Sequence, residues 1–327
     1  MRIVIAGKNS IAVSASKFIL DRGFDAANLF IATNATDFGV DTWQPSLLGF
    51  AKENNIRVVK LEEIYEWEDL IFFSLEYDKL IKPSKFSSKK LYNIHFSSLP
   101  EYKGMYTSCL PILHGKTYSG VTLHMIDPGI DTGDIIDQIN FEIPLNCNAY
   151  NLYLLYLNHS FKLFEKNFDK ILNNDYTTKI QSSINSTYYS KKDIDFSNVQ
   201  INFQQSAFQV FNQVRAFSFR PYQLLSVDGK KIAFAKITQI KSSKKSGVLI
   251  EQTEFSCRYA TIDFDIELYH DVYDEIKSAI DRNDLDYLKH VYELGYDLSE
   301  KSSCGLRLID YVNNATDQTI NAFLDKL

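Results

Sequence analysis

Short apolar runs alternate with amphipathic helical stretches between Ile3 and Ile94, and few folds tolerate that order. Ile3 to Ala6, Leu29 to Thr33, Arg57 to Val59, Leu70 to Leu75 and Leu91 to Ile94 each read as a strand. They are brief and mostly apolar, as strands covered on both faces must be. Between the first two, Ile11, Ala15, Phe18 and Ile19 share one helical face, and Gly23 stands where a helix should stop. A second helix is expected between Pro45 and Asn54. Strand and helix in strict alternation imply a parallel sheet joined by right-handed crossovers, an α/β fold.

The pattern changes after Gly115. Val121 to Ile126 and Ile135 to Ile143 flank the loop DPGIDTG and predict a hairpin. Leu154, Leu157, Phe161, Phe164, Phe168 and Ile171 then recur at steps of three and four, the apolar stripe of a long helix packed on the sheet. From Ile180 the chain turns rich in Ser, Asn, Lys and Tyr and reads as a connection. Phe203 to Phe217 looks helical, while Tyr222 to Val227 and Lys231 to Ile237 read as strands joined at Asp228-Gly229. Further strands follow to Leu268, and helices around Ile276 to Ile280 and after Asp284 close the chain. Three domains are expected: 1–180 α/β, 181–268 small and mainly β, 269–327 helical. The tail string NDLDYLKHVYELGYDL is similar to the second helix and loop of an ankyrin repeat, and CGLRLIDYVNNA to the start of another. Too short to bury its own faces, such a tail must pack on the chain or on a partner.

Composition excludes several classes. With a net charge of −6 the chain lacks the basic excess of a nucleic-acid binder. No apolar run reaches the ~20 residues that span a bilayer, and MRIVIAGKNS lacks the marks of a signal peptide. The expected setting is cytoplasmic, with no membrane partner. Cys109, Cys147, Cys257 and Cys304 are scattered and read as plain thiols. His114 and His124 show no ligand spacing beside His95 and read as packing histidines. The run Asp127, Asp131, Asp134, Asp137 lacks calcium-loop spacing, so no metal is expected. GKNSIA after the first strand is not G-x-G-x-x-G, which argues against a nicotinamide cofactor.

The chemistry concentrates between Asn93 and Asp137. Asn93 and His95 are two apart at a strand end, so both point the same way, into the crevice at the carboxyl edge of a parallel sheet where ligands bind. Asp131 sits in a glycine-flanked loop. An imidazole base, a neutral amide that donates to an oxyanion and an orienting carboxylate suit acyl transfer to an amine without a covalent intermediate on the enzyme.

On these residues the segment resembles the 10-formyltetrahydrofolate-dependent formyltransferases. The resemblance rests on Asn93 and His95, then Ser98, Leu99, Pro100, Tyr102, Lys103 and Gly104, then Asp127, Gly129, Asp131, Gly133 and Asp134, and in layout covers Met1 to about Leu172. It implies a Rossmann-like catalytic domain, a small mainly β domain and, in some members, a partial ankyrin-like tail. It implies 10-formyltetrahydrofolate as formyl donor, its pterin against Ser74, Leu75, Glu76 and Tyr77 and against Ile126, Asp127, Pro128, Gly129 and Ile130, mainly through backbone groups. The overall likeness is to sugar N-formyltransferases acting on dTDP-linked amino-dideoxyhexoses, a 3-amino-3,6-dideoxyhexose above a 4-amino sugar, in surface polysaccharide (O-antigen) biosynthesis. Lys103, Gly104, Met105 and Tyr106 would then face the sugar, and Arg215, Phe219, Arg220 and Tyr222 the nucleotide. The rival readings are a methionyl-tRNA formyltransferase, a formyltetrahydrofolate hydrolase with water replacing the amine, and a scaffold whose tail recruits a partner. The β domain's hairpins suit a homodimer.

Overall fold

The computed structural model describes residues 1–220, 222–298, 320 and 322–323, so CGLRLIDYVNNA and Cys304 lie outside the described residues. The chain forms two compact units. The first comprises 1–111, 116–145 and 151–194; the second comprises 112–115, 146–150 and the chain from Asp195 onward. The 179–194 connection is tied by hydrogen bonds to loops of the first unit.

The first unit is built on a seven-stranded sheet. In chain order its elements are β1 (Arg2–Gly7), α1 (Asn9–Asp21), β2 (Leu29–Thr33), α2 (Leu47–Glu53), β3 (Arg57–Val58), α3 (Leu61–Ile64), β4 (Leu70–Leu75), β5 (Leu91–His95), β6 (Lys103–Gly104), α4 (Leu110–Leu113), β7 (Tyr118–Met125), β8 (Ile135–Glu142), α5 (Ala149–Leu172) and β9 (Tyr188–Tyr189). β1 and β5 extend past the expected runs, β3 and β8 stop one residue short of theirs, and β2 and β4 match. The sheet order is β3-β2-β1-β4-β5-β7-β8. β1 to β5 run parallel, and β7 and β8 add as an antiparallel hairpin. All six residues of β4 are buried, the signature of a central parallel strand. Phe18 of α1 meets Phe161, Phe164 and Phe168 of α5 edge-on, with centroids 5.6–6.2 Å apart.

The stripe on α5 is a correction. Leu154 is exposed at 40%, and Leu157 and Phe161 are only partly buried. The buried face at that end is Leu152, Tyr153, Tyr156 and Ser160 instead. The Tyr156 hydroxyl is satisfied inside by Ser119 (2.6 Å) and the Thr107 carbonyl (3.0 Å). Internal partners let a tyrosine occupy a core position.

The second unit carries α6 (Ala207–Ala216), β10 (Ser226–Val227), β11 (Lys230–Ile237), β12 (Leu249–Gln252), β13 (Ser256–Tyr259), β14 (Ile266–His270), α7 (Tyr273–Asp281) and α8 (Leu285–Leu294). Its five-stranded antiparallel sheet runs β10-β11-β14-β13-β12. Helix α6 starts later than Phe203 because Ser206 caps it, in a reciprocal box with Gln209. Asp228 and Gly229 both take positive φ, 48° and 79°, as a two-residue hairpin turn requires. The terminal helices bury Ile276, Ala279, Ile280, Leu288 and Val291 in one cluster with Tyr269 of β14, and Phe234 of β11 packs against it. Asp284 caps α8, and Gly295 ends it at φ 98°.

Candidate active site

Strand pairing builds the site. In the ladder Asn93 lies beside Ser74 of β4 on one side and opposite His124 of β7 on the other, while His95 lies opposite Thr122. Cross-strand neighbours are close enough for side chains to bond. The loop after β7 then returns Asp131 over them. Asn93 Nδ2 donates to Asp131 Oδ1 (3.3 Å), and His95 Nδ1 stands 3.4 Å from Asp131 Oδ2. The Gly104 backbone N–H donates to the same Oδ2 (2.9 Å). Amide, imidazole and carboxylate thus converge at the carboxyl end of β5.

The tautomers follow from what each nitrogen faces. A carbonyl only accepts, so His95 Nε2 donates its hydrogen to the Tyr102 carbonyl (2.8 Å). Neutral His95 then keeps its lone pair on Nδ1, toward Asp131. His124 Nδ1 donates to the Met125 carbonyl (2.8 Å), so its Nε2 accepts from Asn93 Nδ2 (3.0 Å). Turning the Asn93 amide over would set its oxygen 3.3 Å from the Asp131 carboxylate, oxygen against oxygen. His124 therefore fixes the amide. His124, 2% exposed, read as a packing histidine in the sequence; its place opposite Asn93 was hidden until the β5–β7 register was known.

Burial alone would push the Asp131 carboxyl up, but His95, His124 and the Gly104 N–H outweigh it and hold the group well below the usual carboxylate range. Asp131 adopts φ 53°, a left-handed conformation that few residues other than glycine take. Tyr102 (φ 57°), Gly104 (φ 86°) and Tyr106 (φ 64°) do the same in the facing loop.

The other expected residues fall into three groups. Ser74 and Leu75 are buried, so their side chains belong to the core. Tyr77 and Ile126 are partly buried and pack against one cluster with Phe72 and Leu91. Pro128 and Gly129, which follow Ile126, are exposed. Asp127 holds that loop through the Gly129 N–H (3.1 Å) and the Thr132 hydroxyl (2.7 Å), and Ile130 leads directly into Asp131. Glu76, at φ 58°, takes hydrogen bonds from Tyr153 (2.8 Å), whose hydroxyl also receives Gln44 (2.9 Å). Burial raises the Glu76 carboxyl to about 7.

The expected sugar-facing residues also make contacts within the chain. Lys103 is 8% exposed, and its ammonium donates to Ser186 (3.0 Å). The Tyr106 hydroxyl donates to the Lys191 carbonyl (2.7 Å), whereas Met105 is exposed at 45%. The expected nucleotide arginines are likewise committed. Arg215 is 7% exposed, donating to the Cys147 carbonyl (2.7 Å) and Asn212 (2.6 Å) over the Phe211 ring. Arg220 pairs with Asp271 and lies over Tyr273. The Phe219 and Tyr222 rings lie 5.4 Å apart, tilted by 33°, with Tyr222 68% exposed. No group of His, Cys, Asp and Glu among the described residues has metal-binding geometry. No helix among them is long and apolar enough to cross a membrane.

Comparison with known proteins agrees with this architecture. Residues 75–154 match the Formyl transferase family and residues 193–270 the Formyl transferase C-terminal domain. The sugar 3N-formyl transferase WlaRD, solved with dTDP and 5-N-formyl-THF, is 46% identical with TM-score 0.78, covering 83% of this chain and 97% of that one. An N-formyltransferase from Helicobacter canadensis, solved with folinic acid and dTDP-3-aminofucose, is 45% identical with TM-score 0.78, covering 83% and 100%. Methionyl-tRNA formyltransferase of Syntrophomonas wolfei is 24% identical over 196 residues, 59% of this chain, and the match spans 62% of that protein, less than two thirds of its length. With identity this high across almost the full length of two solved relatives, the chain belongs to the formyltransferase family.

Proposed function

We propose that this enzyme transfers the formyl group of 10-formyltetrahydrofolate to the amino group of a dTDP-linked 3-amino-3,6-dideoxyhexose. The observation that carries the reading is the convergence of Asn93, His95 and Asp131 on one point at the sheet edge. The donor supplies an activated one-carbon acyl group. Tyr77, Ile126 and the exposed Pro128–Gly129 turn would hold its flat ring. The 3-amino choice rests on the two relatives, one described as a 3N-formyl transferase and the other solved with dTDP-3-aminofucose.

The chain's own groups divide the work. As the amine attacks the formyl carbon, its proton passes to His95 Nδ1, the ring nitrogen left without hydrogen by the Tyr102 contact. The ionised Asp131 stabilises that imidazolium. Asn93 has two amide hydrogens; His124 keeps one, and the longer 3.3 Å contact to Asp131 is the one an oxyanion would take over. The proton then returns to the leaving folate nitrogen, and no bond to the enzyme forms.

Purified protein with 10-formyltetrahydrofolate should release tetrahydrofolate only when an amino sugar is added, fastest with the dTDP-linked 3-amino sugar. Faster turnover of the 4-amino isomer or of methionyl-tRNA would move the acceptor; folate loss without acceptor would favour the hydrolase. The same reading includes a cytoplasmic homodimer serving O-antigen assembly. The exposed edge strand β12 supports self-association, and sedimentation at micromolar concentration tests it.

A further inference from the structure

The connection between α5 and α6 carries a second set of contacts to the site. It crosses both loops that frame the trio. Lys179 pairs with Ile135 at the foot of the Asp131 loop. Tyr188 and Tyr189 pair as β9 with Lys103 and Gly104, and Gly104 is the residue whose N–H bonds Asp131. A Cβ on Gly104 would lie 2.2 Å from the Tyr189 carbonyl, so the two strands touch backbone to backbone. Between these anchors, the Gln181 side-chain nitrogen donates to the Asp131 carbonyl and the Gly133 carbonyl, both at 2.8 Å.

We infer that Gln181 is a positioning residue for formyl transfer, acting through Asp131. The geometry gives the reason. Asp131 is held at φ 53°, which a residue with a Cβ leaves readily unless its neighbours prevent it. The two amide hydrogens of Gln181 clamp the carbonyls on both sides of Thr132, and so fix the peptide that aims the carboxylate at His95 and Asn93. Two carbonyl acceptors settle the amide orientation, because the reverse would face oxygen to oxygen. Gln181 Oε1 is buried with no hydrogen-bond partner among the described residues.

This inference rests on the formyl-transfer reading, and the test separates the two. Turnover of 10-formyltetrahydrofolate with the dTDP-linked 3-amino sugar is measured for the full chain, Gln181→Met, Asp131→Asn and the double variant. Methionine keeps the size and removes both donors. The expected result is ~10–100-fold lower kcat for Gln181→Met, the scale of a small misplacement at a reacting centre, with KM for folate within about 2-fold. In the Asp131→Asn background the same substitution should cost under about 3-fold, because its effect is already lost. If Gln181→Met fails to fold by thermal shift, Gln181→Asn, one methylene short, enters the same cycle. A kcat within about 2-fold of the parent, or losses that multiply in the double variant, would overturn the role of Gln181. An inactive parent with every amino sugar would instead overturn the functional reading itself.

Discussion

At the scale of single residues, the site depends on charges held in fixed states. The Asp131 carboxylate stays ionised through the neutral range, with the Gly104 N–H donating to it. Asp131→Asn is expected to lower kcat by ~10²–10⁴-fold, measured by single-turnover formyl transfer. His124 should matter through Asn93 alone. His124→Leu removes the acceptor and should cost ~10-fold or more in kcat, while His124→Gln, which keeps an acceptor, should recover part of it. Glu76 behaves oppositely to Asp131. Its carboxyl is raised from 4.5 to about 7, so the folded state holds that proton more tightly than the unfolded chain. The linked stability is present below pH 4.5 and is lost as pH rises through about 7. Glu76→Gln should remove ~2–3 kcal/mol of difference between urea unfolding at pH 5 and pH 8. An unchanged pH dependence in that variant would refute the assignment.

At the scale of elements, the parallel strands were legible because β-branched and aromatic residues clustered in runs too short for helices. Ile3 to Ala6 and Leu70 to Leu75 are such runs, and the structure places both at the sheet centre. The face of α5 was not legible at its start. Period counting rewards Leu154 and overlooks Tyr156, whose ring is core and whose hydroxyl finds partners inside. Leu154→Ala should therefore change stability by under about 0.5 kcal/mol, whereas Phe164→Ala, at a fully buried position, should cost ~3–5 kcal/mol. Equal effects in chemical denaturation would contradict the observed face. The Asn93 and His95 pair was visible from strand alternation, but the approach of His124 and Gln181 was not. Register across β5 and β7, and the path of a polar connection, are tertiary facts that no local pattern encodes.

At the scale of the whole molecule, the N-terminal unit and the antiparallel unit each close their own core. The terminal helices complete the second. Their apolar faces lie on β11 and β14, as a tail too short for self-burial requires. Leu288→Ala should lower stability by ~2–5 kcal/mol and shift the thermal midpoint. Arg215 and Arg220 hold partners within the chain, and His124 holds Asn93. Residue type suggests a chemistry, and only the fold decides whether the group is spent on its own chain.

The most direct test of the convergence of Asn93, His95 and Asp131 is formyl transfer followed with an isotope-labelled formyl donor and the dTDP-linked 3-amino sugar. Label is expected in an amide on the sugar with the parent chain, and its loss by ~10²-fold or more in Asn93→Ala, His95→Ala and Asp131→Ala variants that melt like the parent. Label reaching the sugar at the parent rate in any folded variant of the three would contradict it.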